Sequence, residues 1–126
     1  MKTKFHLGYG LAAIGYMTGI FVLSSAPGES GLSSPLFWNL LHVPLFAGLA
    51  SCLLLSLTEG QWDRSLSWQL YVVIGLLAGV YAAVDEWHQS FVAERYASVV
   101  DFLLNCVGIV ALLLIHRLVC NHRVTS

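Results

Sequence analysis

Asp85, Glu86, His88 and Gln89 fall almost side by side, and Arg95, Asp101 and Asn105 follow within the next 16 residues. Carboxylates beside an imidazole can act as general acid and base, and a planar guanidinium can bridge two carboxylates or hold an anionic oxygen. Helical spacing sorts these residues into faces. Asp85, His88 and Gln89 stand at i, i+3 and i+4, and Asp101, Asn105 and Gly108 at i, i+4 and i+7, so each trio shares one face. Glu86 points about 100° away from Asp85 on ideal geometry. Upstream, Asn39 and His42 stand at i and i+3, and Ser24 and Ser25 close an apolar run.

The candidate catalytic groups are therefore Asp85, Glu86, His88 and Asp101. The candidate ligand-binding set is His42, Asp85, Gln89, Arg95, Asp101 and Asn105. The competing explanation is a buried ion-pair network that fixes helix register, with Arg95 within salt-bridge reach of Asp85, Glu86 or Asp101. Glu86, His88 and Gln89 could equally be solvated at an interface, and His42 could be a plain helix–helix hydrogen bonder. His6, His116 and His122 read as interfacial or tail residues. There is no nucleophile elbow, no Walker loop and no His-rich metal motif, so no metal ligand and no cofactor is assigned. Carboxylates permit Mg²⁺ without requiring it.

The elements that must position these residues follow from composition. The chain has 126 residues, 57% of them hydrophobic and 10% charged, with mean hydropathy +0.74. A soluble domain this small cannot hide that much apolar surface, whereas a bilayer accepts it. Spans of about 20 apolar residues fit at about 5–24, 37–57, 67–86 and 98–116. Loop chemistry separates them at Ala26–Gly31 and Thr58–Arg64, and a tight hairpin at Phe91–Tyr96 joins the last two. The expectation is an all-α membrane protein: one domain, residues 1–126, built as a four-transmembrane-helix bundle. The first span, with Ser24-Ser25-Ala26 at its end, also resembles a signal peptide; its length favours retention. Pro44 is expected to kink the second span just below His42. Gly75, Gly79 and Gly108 could each let helices approach closely.

Lys2, Lys4, Arg64, Arg117 and Arg123 fall on one side of this topology and Arg95 alone on the other. The positive-inside rule then places both termini in the cytoplasm and the Arg95 hairpin outside. Trp38, Trp62, Trp68, Trp87 and Tyr96 lie near span ends, as an aromatic belt requires. On this topology the polar residues of several segments reach one depth, near the outer interface, and intramembrane charge marks functional sites by default. A net charge of −1 argues against nucleic acid as a partner. Cys52, Cys106 and Cys120 form no Cys-x-x-Cys pair and read as small apolar filler.

The stretch Val84-Asp85-Glu86-Trp87-His88-Gln89-Ser90-Phe91, then Arg95-Tyr96-Ala97-Ser98-Val99-Val100-Asp101, then Asn105 and Gly108, resembles the signature of VanZ-like proteins. Leu23-Ser24-Ser25 and His42-x-x-x-Phe46 match it too. Two departures stand out. Ala93-Glu94 occupies the place where the family often has Pro-Gly, and Asn39 stands where a lysine often precedes the histidine. The resemblance implies a multi-pass protein of the bacterial cytoplasmic membrane and cell envelope, with membrane lipids as partners. It also implies a link to antibiotic resistance, since the founding member is associated with resistance to teicoplanin, a lipid-tailed glycopeptide. It specifies no reaction. Two functions stay open: a polar site facing outward for an amphiphile (a lipid headgroup or a lipid-tailed glycopeptide), or a membrane-embedded hydrolase or transferase acting on a lipid-linked envelope substrate. A scaffold role stays open as well, and oligomeric state is not legible.

Overall fold

The computed structural model describes residues 5–26 and 35–124, with side chains of the second segment from Asn39 to Arg123. The loop around Pro27–Ser34, the N-terminal lysines and the side chain of Trp38 lie outside the described residues. Four helices follow in order: α1 Leu7–Ser24, α2 Pro35–Leu57, α3 Trp68–Gln89 and α4 Val99–Val124. Each contains a stretch long and apolar enough to cross a membrane. No strand occurs among the described residues.

Apolar residues surround each helix on nearly all sides, so the amphipathic stripe of a soluble helix is absent; such a helix belongs in a core or in lipid. The inward side is small and close-packed. Ile20, Phe46, Leu49, Ala50, Leu54, Ile74, Ala78, Ala82 and Ile109 form a continuous core. Leu76, Val80, Leu103, Leu114 and Leu118 stay largely exposed on the outer surface, where lipid tails replace water.

The most extensive contact is between α2 and α4, and α2 touches all three other helices. α1 packs on α2 and α3 and does not touch α4. Gly108 explains the tight α2–α4 crossing: a Cβ there would collide with the Val43 backbone carbonyl. Glycine at a helix crossing lets backbones meet. Gly75 and Gly79 serve no such purpose, since a Cβ at Gly79 meets nothing and one at Gly75 makes only ordinary contact with Leu113. Pro44 lies inside α2, which runs unbroken through it.

The antiparallel order brings the C-terminal ends of α1 and α3 to the N-terminal ends of α2 and α4. The α3–α4 hairpin at this end turns through Glu94, which has φ +62°. That left-handed conformation suits glycine, and it falls at a position where VanZ-like sequences often have one.

Candidate functional site

Asp85 lies at the centre of the first of two polar groups at this end. It is 4% exposed and both of its oxygens are bonded. Ser24 Oγ, from the last turn of α1, donates to Asp85 Oδ1 at 2.5 Å. Gln89 Nε2, one turn further along α3, donates to Oδ2 at 3.0 Å. Arg95 then closes the end of α1: Nε donates to Ala26 O at 2.9 Å, Nη2 to Leu23 O at 3.4 Å and Nη1 to Gln89 Oε1 at 3.3 Å. The last carbonyls of a helix lack intrahelical donors and carry negative partial charge, so a cation there is favourable. His88 completes the seam. Its ring stacks on Phe21 with centroids 4.4 Å apart, and its Nε2 lies 3.0 Å from Ser25 Oγ. Because Ser25 Oγ donates to Phe21 O, it accepts from the imidazole. Asp85, His88, Gln89 and Arg95 thus form a clamp on the end of α1 in which no buried side-chain polar atom lacks a partner.

The second group lies between α2, α3 and α4, on the other side of α3. His42 Nδ1 is 2.8 Å from Asn105 Oδ1, and the close approach at Gly108–Val43 brings the two helices within that reach. Glu86 is 6% exposed. Its Oε2 accepts from the Ser98 backbone N–H at 3.0 Å, and Ser98 Oγ in turn caps α4 by accepting from Asp101 N at 3.2 Å. One donor atom each from His42, Glu86 and Asp101 lies within 4.8 Å of the others. Four buried side-chain polar atoms lack a hydrogen-bond partner among the described residues, and three belong here: Glu86 Oε1, Asp101 Oδ1 and Asn105 Nδ2; the fourth, Thr58 Oγ1, is at the far end of α2. A buried polar group without a partner costs about 1–3 kcal/mol, so their concentration in one place needs an explanation.

Three expectations change. Arg95 does not pair with Asp85, Glu86 or Asp101; the sole ion pair among the described residues joins Arg64 to Glu59. The end of α1 takes the guanidinium instead. Glu86 and Gln89 are buried rather than solvated at the interface. His116 is no tail residue but fully buried. Its Nδ1 lies 2.8 Å from Tyr71 Oη and its Nε2 donates to Trp62 O at 2.7 Å. Its setting carried a signal, since Leu112–Ile115 precede it without a break and an ionisable residue within a span usually faces the bundle interior. Glu86 is the functional candidate that face counting undervalued: pointing away from Asp85 means pointing at α4 and His42.

Fold and site together define a four-span helical membrane protein with its buried carboxylates at one end of the bundle. The VanZ/LLP1 family model matches residues 11–120, a span that includes most of each helix and both polar groups, and the chain belongs to this VanZ-like family. No curated protein and no solved structure matches it.

Proposed function

We propose that this protein is a bacterial cell-envelope membrane protein that uses the His42–Glu86–Asp101–Asn105 group to engage the polar part of an amphiphile, a lipid headgroup or a lipid-tailed glycopeptide. The observation that carries this is the cluster of unpartnered buried atoms on Glu86, Asp101 and Asn105. A purely structural network would satisfy its members, as the Asp85 clamp does. The apolar outer surface around them, with Leu40, Val99, Val100 and Leu103 exposed, suits an acyl tail lying alongside. The same imidazole and carboxylates are also the groups a lipid hydrolase or transferase would use for proton transfer, which is the second reading.

On this proposal both termini are cytoplasmic and the group faces outward. A cysteine introduced near Ser30 should then react with an impermeant reagent in intact cells. The functional test measures envelope phenotype, including susceptibility to a lipid-tailed glycopeptide, together with thermal stability in detergent for His42→Ala and Asp101→Asn. The expected result is a lost phenotype in a folded protein. Retention of the phenotype in both variants overturns the proposal.

A further inference from the structure

We infer that His42, Glu86 and Asp101 form a binding site for one divalent metal ion of the borderline class, such as Zn²⁺. The inference concerns the ion alone and holds or fails independently of any amphiphile.

Three observations converge. The first is the donor set. One atom from each of three residues, on α2, α3 and α4, lies within 4.8 Å of the other two. Ligands about 2.1 Å from a shared ion stand about 3.4 Å apart in a tetrahedron. Separations of up to 4.8 Å exceed that, so the group closes on an ion by side-chain rotations that draw the three donors inward.

The second is the unpaired carboxylate. Glu86 is buried, and its Oε1, with Asp101 Oδ1, lacks any hydrogen-bond donor. No lysine or arginine among the described residues forms an ion pair with either residue, and Arg95 is committed to Gln89 and the end of α1. Two carboxylates at this depth are expensive to ionise without a cation. A dication cancels both at once, and neutral imidazole adds no charge.

The third is the setting of the histidine. An amide oxygen only accepts, so the 2.8 Å contact between His42 Nδ1 and Asn105 Oδ1 puts a proton on Nδ1, and in the neutral ring the lone pair is then on Nε2. A metal-binding imidazole almost always donates its other N–H to such an acceptor. The chemistry selects the ion. Imidazole suits Zn²⁺ and its neighbours, whereas Mg²⁺ prefers an octahedral shell of oxygen and water. Three protein ligands on Zn²⁺ leave an open position for water or an anionic oxygen.

The test uses the full chain, free of any affinity tag, purified in detergent and stripped with a chelator. Zn²⁺ alone is titrated by calorimetry, and Co²⁺ is used as an optical reporter. Expected are one site per chain, a visible Co²⁺ spectrum that Zn²⁺ abolishes, and little competition from millimolar Mg²⁺. His42→Ala and Asp101→Asn should weaken binding at least 100-fold, and Asn105→Ala about 10–100-fold through the ligand it orients. Asp85→Asn should leave it unchanged. Electron spin-echo spectroscopy of the unaltered protein with Cu²⁺, read for one bound imidazole nitrogen, decides the matter even where a variant fails to fold. Absence of a saturable site in the folded wild type overturns the inference. So does binding indifferent to His42→Ala and Asp101→Asn, which would assign the ion to other histidines.

Discussion

Two histidines, one near each end of the bundle, receive opposite treatment. His116 is enclosed by Tyr71 and Trp62, gives its Nε2 proton to the Trp62 carbonyl and takes one from the Tyr71 hydroxyl. Trp62 also meets the imidazole edge-on, with centroids 4.9 Å apart. Both nitrogens are used, and the group ties the α2–α3 loop to α3 and α4. His42 has a partner at Nδ1 but faces two carboxylates that include unpartnered oxygens. The same residue type thus supports a closed joint in one place and an open donor set in the other. Burial alone does not separate them; the completeness of hydrogen bonding does.

The comparison is tested most severely by truncating both histidines. His116→Ala strands a hydroxyl and a carbonyl and opens a cavity, so a stability loss of about 2–4 kcal/mol is expected. His42→Ala frees only the Asn105 amide and should cost about half as much or less. Thermal or denaturant unfolding in the same detergent measures both. A larger loss at His42 would mean that the open group holds the fold together.

Gly108→Ala comes next. The added methyl meets the Val43 backbone, which cannot swing aside as a side chain would. Forcing α2 from α4 should cost about 1–3 kcal/mol and pull His42 from Asn105. Gly79→Ala, where nothing lies within reach, is the control and should be neutral or better. Equal effects at both glycines would show that the crossing is looser than described. Smaller again is Arg95→Gln, which removes the donors from the end of α1. The loss should be about 1 kcal/mol, since the side chain is partly exposed and two of its three contacts are long. It should leave His42→Ala effects additive, because the two groups share no hydrogen bond.

How much of this was legible in the sequence divides along physical lines. The spans were, because hydropathy and length alone decide what a bilayer accepts. Their ends shifted where polar residues found partners: α3 continues through Gln89, which bonds to Asp85, and α4 reaches Val124 past Arg117 and Arg123. The pairing of Asp85 with Gln89 is an i, i+4 relation and could be read directly. Two of the partners of Arg95 could not, because they are backbone carbonyls at the end of α1 and leave no trace in residue identity. Nor could the isolation of Glu86 Oε1, which depends on what three helices fail to deliver. Glu94 is an intermediate case: a departure visible in the sequence acquired its physical meaning from a positive φ.

The smallest expected effect discriminates best. Glu86→Gln preserves shape and keeps an oxygen to accept from Ser98 N–H. It removes a buried carboxylate that forms no ion pair among the described residues, and its amide can donate where Glu86 Oε1 had no partner. In metal-free detergent solution the variant should therefore match the wild type within about 0.5 kcal/mol, or exceed it, because a buried charge left unpaired is itself destabilising. The closed clamp predicts the contrary for its own carboxylate. Asp85→Asn turns one acceptor oxygen into a donor facing Ser24 or Gln89, and a loss of about 1–3 kcal/mol is expected there. Adding Zn²⁺ should then raise the unfolding temperature of the wild type and of Asp85→Asn, and leave Glu86→Gln unmoved. A clear loss for Glu86→Gln without metal, of the size seen at Asp85, would mean that both carboxylates are structural and that the two groups differ only in appearance.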